Sequence, residues 1–548
     1  MKRKFFALSF FILSISAVAQ TEKLVYHLIK TDARGNILPW YSDEPGKAWS
    51  HTIQLVWNFW DTMRRDPNGI PYYMNHQVWK PAVNDARGLG GDQLSMALSS
   101  WSLLYAYTGN ERVKENMKFI ADYYLSHGIS PANAVWADIP FPYNTLVYSG
   151  FYDGDMIIGK GYTQPDKAGS FGRELVHLYK MTTDDRYPNI TDDEYLHAAI
   201  KIANTLAKLT KKGDENNSPL PFKVNAITGE TGVLKNNNRD GKDAGLSSYT
   251  TNWSATLELF LELQQLNIGE TGLYKEAFDK IIDWMKKYPL QNNKWGPFFE
   301  DVPGWSDTQI NAVTFAQFMM DHQEYFPDWQ TDTKKIIEWV YQQMRNEQWK
   351  KYGVTVVNEQ TAYQQPGNSH TARQAAAELQ YIRLTGDSRH YNNAIRQLNW
   401  ATYMVDRDGK NYYPTNDVWL TDGYGDYVRH FLRAMDAAPA LAPSGEEHII
   451  SSTSIIQEVA YSPLTNAYFG DDLGNIERKN VKLFYKSFDK AGTEQIRLLK
   501  RPSVVLFNQS QGKELKNLSA EGFTWKPLKK GGLLTVKRQI SDKIIIVE

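Results

Sequence analysis

The chain has no cysteine among its 548 residues. Disulfides, thiolate catalysis and cysteine-ligated zinc are therefore excluded. It also lacks an excess of either charge, with 61 Lys and Arg against 62 Asp and Glu. Phosphate backbones are held by a basic surplus, so nucleic acid is not an expected partner. At the N-terminus, Lys2-Arg3-Lys4 precedes an apolar run from Phe5 to Ile15 and a small-x-small site at Ala17-Val18-Ala19. That run is too short and wrongly flanked for a permanent membrane anchor, and reads as a cleavable secretory signal over 1–19. No cysteine follows the cleavage site, which excludes the lipid-anchored bacterial route. The expectation is an exported bacterial protein, periplasmic or secreted, without a stable membrane anchor.

Aromatic residues are abundant: 13% of the chain, with 17 Trp and 32 Tyr. Two explanations stay open, a large helical core with aromatic packing and flat ring faces that stack on pyranose sugars. Apolar content of 42% and charged content of 22% are ordinary for a globular protein.

One stretch carries the organisation, Asn368 to Tyr391, NSHTARQAAAELQYIRLTGDSRHY. A polar head (Asn368, His370, Arg373) leads into a small-residue helix, a Leu384-Thr385-Gly386-Asp387 turn and a second helix. Related turns recur at Leu104–Arg112 and, more loosely, at Leu178–Arg186. Helical periodicity predicts twelve helices, near 47–65, 92–107, 111–125, 169–182, 194–210, 249–265, 272–287, 308–323, 332–346, 370–384, 390–404 and 424–435. Turns are short within pairs and loops usually longer between them, so partners are antiparallel and the array is closed or stacked. Helices starting near 92, 169, 249, 308, 370 and 424 carry small residues such as Ser95, Ala97, Gly169, Ala255 and Ala375, as an inner ring needs. Their partners have charged outward faces, for example Lys280, Asp283 and Lys287.

This pattern resembles the (α/α)6 toroid of carbohydrate-active enzymes such as polyuronide lyases and unsaturated glucuronyl hydrolases. The expected layout is a toroid catalytic domain over 20–437 and a linker over 438–445. A β-sandwich accessory domain over 446–548 follows, either structural support or a glycan-binding module. The resemblance implies an enzyme on uronic-acid-containing saccharide. Asp153 and Asp155 lack a wider ligand pattern, so no metal or cofactor is expected, and the expected partner is an anionic oligosaccharide.

In such a ring the inner N-termini face one mouth, where partial positive charge favours an anionic ligand. Six segments reach that mouth. They supply Asp92; Tyr162, Lys167 and Arg173; Tyr249, Asn252 and Trp253; Trp305 and Asp307; His370 and Arg373; and Trp419, Asp422 and Tyr424. Helix capping is an equally good explanation for Asp92, Asp307 and Asp422. The leading reaction is β-elimination on a uronate, by a lyase or, at a terminal residue, a dehydratase. His370 or Tyr249 would be the base, Arg373 and Asn252 the carboxylate clamp, and Tyr424 the acid. The remaining residues, Trp253, Arg173, Lys167, Tyr162, Trp305, Asp307 and Trp419, would bind substrate. Hydrolysis is the alternative, with Asp92, Asp155 or Asp422 as acids, and a non-catalytic glycan-binding protein is the third reading. His430 is read as core or as a residue that supports the site from behind.

Overall fold

The computed structural model describes residues 22–62, 65, 91–141, 161–183, 193–235, 243–298, 305–414, 425–462 and 478–548. The secretory signal expected at 1–19 lies outside these. Twelve long helices are present among the described residues: α1 (Pro45–Thr62), α2 (Gly91–Thr108), α3 (Glu111–His127), α4 (Pro165–Thr182), α5 (Asp193–Leu209), α6 (Ser254–Gln265), α7 (Thr271–Lys287), α8 (Gln309–Asp321), α9 (Trp329–Met344), α10 (Asn368–Thr385), α11 (Tyr391–Thr402) and α12 (Asp426–Ala437). Helices α2, α4, α6, α8, α10 and α12 pack each on the next, and α12 returns to α2. The remaining six form an outer layer, so the chain is an (α/α)6 toroid.

Small residues let the inner helices approach. A Cβ on Gly169 of α4 would fall 1.9 Å from Thr256 Oγ1 of α6, and one on Gly425 would fall 2.7 Å from Ala97 Cα of α2. The second contact helps close the circle, along with the Ser100 hydroxyl, which donates to the Gly425 carbonyl. The outer seam is closed by tryptophan. Trp57 and Trp60 of α1 meet Trp101 of α2 edge-on at 5.1 and 5.2 Å, contacts worth about 0.5–1.5 kcal/mol each beyond burial. Trp60 Nε1 donates to Asn116 Oδ1 at 2.6 Å, which satisfies the indole in the core. Trp49, Trp57, Trp60, Trp101, Trp253, Trp284, Trp295 and Trp400 are all buried. Most of the tryptophan surplus is therefore packing.

Two boundaries differ from the sequence expectation for local reasons. Helix α4 begins at Pro165, four residues before the expected start, with proline in its first turn where no N–H is needed. Helix α6 begins at Ser254, because the residues before it are held extended. There Thr250 and Thr251 hydroxyls donate to the carbonyls of Pro297 and Trp295 at 2.9 and 2.6 Å.

After Ala437 nine strands follow among the described residues: β1 (His448–Ser452), β2 (Ile456–Tyr461), β3 (Val481–Ser487), β4 (Gly492–Leu498), β5 (Val504–Phe507), β6 (Ser510–Gln511), β7 (Gly522–Pro527), β8 (Gly532–Arg538) and β9 (Lys543–Val547). They form two antiparallel sheets, ordered β1-β4-β8-β7 and β2-β3-β9-β5-β6. Strands β1 and β2 lie in different sheets and are joined by a bend. A buried pair ties the sheets: Arg538 Nε and Nη2 donate to Glu494 at 2.9 and 2.7 Å, and the Tyr485 hydroxyl of the other sheet donates to the same carboxylate at 2.9 Å.

The β domain sits under the C-terminal ends of the inner helices. Tyr461 Oη donates to the Ala106 carbonyl at 2.6 Å, and Gln457 Nε2 donates to those of Lys180 and Thr183 at 2.9 Å each. Gln495 Nε2 reaches Asp436 Oδ1 at 3.1 Å. The ring therefore has one end covered by β1 and β2, and its six inner N-termini face the other.

Candidate functional site

All six inner helices line a central cavity of about 830 Å³, counting its opening to solvent. Depth follows helix position. Lys167 and Asn252 lie at the inner N-termini; Arg373, Arg429, His430 and Glu258 lie about one turn in; deeper still lie Arg433, Arg173, Glu174 and Asp321.

The upper wall is organised by Asp426, the first residue of α12. Its Oδ2 accepts from Ser369 Oγ at 2.5 Å, from an Arg373 guanidinium nitrogen, and from His430 Nε2 at 2.9 Å. Its Oδ1 pairs with Arg429. Four donors on one buried carboxylate come from α10 and α12, so two neighbouring helices are locked at the cavity wall. Arg373 Nη1 also donates to Gln309 Oε1 at 3.2 Å, which adds α8.

His430 is buried one turn after Asp426. With Nε2–H directed at Asp426, the proton-accepting nitrogen is Nδ1, which has no hydrogen-bond partner among the described residues. Burial, and then the positive charges of Arg373, Arg429 and Arg433, hold the imidazole well below its ordinary value. Asp426 does not reverse this, because its charge is already shared by two arginines. The ring is thus a neutral base at neutral pH, oriented by a carboxylate.

A second polar group lies where α4 meets α6. Asp166 Oδ2 accepts from Lys167 Nζ at 2.9 Å and from Asn252 Nδ2 at 2.8 Å. The Lys167 ammonium sits over the Phe298 ring and donates to the Phe298 carbonyl at 3.2 Å. Deeper, Arg173 Nε donates to Glu262 Oε1 at 3.2 Å, and its Nη2 lies 3.8 Å from Glu258. Burial opposes that charge, but Glu258, Glu262 and Glu174 outweigh it. Asp321 lies on the far wall, where burial raises its carboxyl above the ordinary range against the pull of Arg433.

Of the residues expected from sequence, the structure brings Lys167, Arg173, Asn252 and Arg373 to the cavity. His370 is buried behind the wall, its Nδ1 4.0 Å from Glu359 and packed on Gly367, where a Cβ would fall 2.4 Å away. Tyr249 does not line the cavity. It is wedged between Trp284 and Trp305, its hydroxyl donates to the Lys294 carbonyl at 2.7 Å, and burial raises its pKa further from a base's range. Trp253 is core, with Nε1 on the Thr250 carbonyl at 2.8 Å. Asp307 accepts from the backbone N–H groups of Trp295 and Gly296 at 2.7 and 2.8 Å, which makes it a loop-holding residue. Trp305 is 43% exposed and its Nε1 donates to Asp307. Tyr162 belongs to a short ribbon with Asn225. Asp155, Trp419, Asp422 and Tyr424 lie outside the described residues. Asp92 falls in the first turn of α2, and its side chain is outside them as well.

Sequence reasoning missed Asp426, Arg429, His430 and Arg433. Their signal was the spacing D-x-x-R-H-x-x-R on an inner helix, which puts all four within two turns of one face.

The ring superposes on solved structures of low identity. A cellobiose 2-epimerase from Spirochaeta thermophila is 11% identical over 73% of this chain and 97% of its own, with a TM-score of 0.53. A sugar epimerase from a ruminal bacterium is 14% identical over 71% and 98%, with a TM-score of 0.52. A D-mannose isomerase is 11% identical over 72% and 99%, with a TM-score of 0.50. At such identity the likeness shows the fold alone, the toroid of six inner and six outer helices. No protein-family model matches the sequence, and no curated protein matches it at a significant level.

Proposed function

We propose that the protein is a carbohydrate-active enzyme that removes the proton α to the carboxylate of a uronate sugar and eliminates the 4-O-substituent. It would act as a lyase, or as a dehydratase where the leaving group is water. The observation that carries this reading is the Asp426–His430 pair on an arginine-lined wall. A proton α to a carboxylate leaves only if the charge on the enolate is neutralised. His430 Nδ1 takes the C5 proton, and Arg429 and Arg433, flanking it on the same helix, face the charge that develops on the carboxylate. The C5–H electron pair then forms the C4–C5 double bond as the C4–O bond breaks, and the departing oxygen takes a proton. Asp321 of α8, whose carboxyl is raised above the ordinary range, is the donor among the described residues. Tyr424 keeps its place as an alternative donor. Lys167 and Asn252 anchor the sugar nearer the mouth. The roles expected of His370 and Tyr249 pass to His430, because only His430 lines the cavity.

A second reading shares the first step. The epimerases and isomerase of the same fold act on sugars, and a base that abstracts a proton α to a carbonyl serves aldose–ketose or epimer exchange if the proton is returned instead of the leaving group lost. Hydrolysis remains the third outcome, with Glu174, Glu258 and Asp321 as the carboxyl groups at hand. Incubation with uronate oligosaccharides in D2O separates the three. Absorbance from a C4–C5 double bond supports elimination. Deuterium in a recovered sugar without absorbance supports exchange. Release of saturated sugar without deuterium supports hydrolysis.

A further inference from the structure

The space inside the ring does not end with the central cavity. Deeper lies a second chamber of about 1210 Å³, counting its opening to solvent, which shares Arg173 and Glu258 with the cavity above. On the ring side it is walled by Ser102, His177, Lys180 and Glu262, toward the helix C-termini. Its floor is the bend between β1 and β2, Ser451 to Ile455, supplied by the β domain.

The charges on the ring side satisfy one another. Glu262 accepts from His177 Nε2 at 2.9 Å, from Lys180 Nζ at 2.7 Å and from Arg173 Nε at 3.2 Å, while Glu174 meets His177 Nδ1 at 3.1 Å. Burial works against an ionised Glu262, yet these cations hold it well below the usual carboxylate range. The opposite wall combines Ser451, Ser452, Thr453 and Ser454 with Asp489 and the isoleucines at 449, 450, 455 and 456, and the Ser454 hydroxyl donates to Asp489 Oδ2 at 2.7 Å. A chamber whose ring-side charges are paired and whose other wall mixes hydroxyl with apolar side chains matches a ligand that carries both hydroxyl groups and apolar C–H faces, as a saccharide does.

We infer that the saccharide pocket continues past a neck at Arg173 and Glu258 into this chamber, and that the β1–β2 bend is its end wall. The β domain then limits the length of saccharide accepted and does not capture glycans independently. This inference rests on the saccharide chemistry proposed above, and it adds a site that the reacting groups at His430 do not require.

The test fills the floor. Thr453 is exposed at the bend and its Oγ1 accepts from the Thr493 N–H, so Thr453→Trp narrows the chamber outside the sheet interior and Thr453→Ser is the control. Ser102→Phe fills the same chamber from the ring if the first variant fails to fold. With uronate di-, tri- and tetrasaccharides, kcat/KM for the tetrasaccharide falls about tenfold relative to the disaccharide in the filled variants, since remote binding contributes to turnover. Equal effects on all lengths, or none, overturn the inference. If the wild type turns over none of them, the proposed reaction fails, and the chamber is judged by amide hydrogen exchange with the same saccharides. Protection of residues 451–456 by the tetrasaccharide and not by the disaccharide supports the chamber. Absence of that protection overturns it.

Discussion

Arg373 of α10 and Asp426 of α12 form a buried ion pair at the cavity wall, with His430 on the same carboxylate oxygen. Removing one partner leaves charge buried without compensation, at a cost of about 3–5 kcal/mol. Asp426→Asn therefore lowers unfolding free energy by that order, measured by urea denaturation. It also costs activity, because His430 loses the acceptor that fixes its tautomer. The double variant Arg373→Met, Asp426→Leu recovers part of the stability and none of the activity.

The same neighbours set the pH dependence. His430 is held below the ordinary histidine value, so the free base persists as pH falls through 6.5. The acid limb of kcat/KM is expected below pH 6.5, where an ordinary histidine base would already be half protonated. An acid limb above pH 6.5 contradicts the assignment.

Glu378 of α10 is a buried carboxyl pushed up to about 7 by desolvation, against hydrogen bonds from Gln374 and Tyr341. A raised carboxyl pKa means the folded state binds more protons than the unfolded state between pH 4.5 and 7, so stability falls as pH rises through that window. Glu378→Gln removes the penalty. Its stabilising effect grows from near zero at pH 4.5 to at most about 3 kcal/mol at pH 8, read as the difference in unfolding free energy between variant and wild type.

Gly169 tests the ring itself. Alanine is worth about 1 kcal/mol over glycine in a helix interior, yet its Cβ would overlap Thr256 of the next inner helix. Gly169→Ala is expected to be destabilising by about 1–3 kcal/mol through overpacking, and Thr256→Ala in that background to restore part of it. A stabilised Gly169→Ala would contradict the close approach of α4 and α6.

Helix periodicity and small-residue faces were enough to read the ring, because both follow from local spacing. The site was only half legible. Arg373, Lys167 and Asn252 stand near inner N-termini, where a walk round the mouth finds them; Arg173 is found the same way but lies deeper, because α4 starts four residues before the expected position. His430 reads from sequence as core or as a supporting residue, because nothing local shows that Asp426, one turn earlier, holds Nε2 and leaves Nδ1 as the accepting nitrogen. Position in the chain places His370 and Tyr249 at the mouth, and packing on Gly367 and between Trp284 and Trp305 takes them off the wall of this cavity. The floor was not legible at all, since it is built by a domain whose strands begin some eighty residues after the α10 head.

The most direct test replaces His430 with Gln, which is close in size and keeps a side-chain N–H donor for Asp426. With a uronate oligosaccharide that the wild type converts, formation of the C4–C5 double bond is followed for wild type, His430→Gln and His370→Gln. The account predicts a loss of about 10²–10⁴ for His430→Gln, the range of a missing general base, with a circular dichroism spectrum and melting transition close to wild type. His370→Gln retains the larger share of activity. Full activity in His430→Gln, or loss confined to His370→Gln, would contradict it.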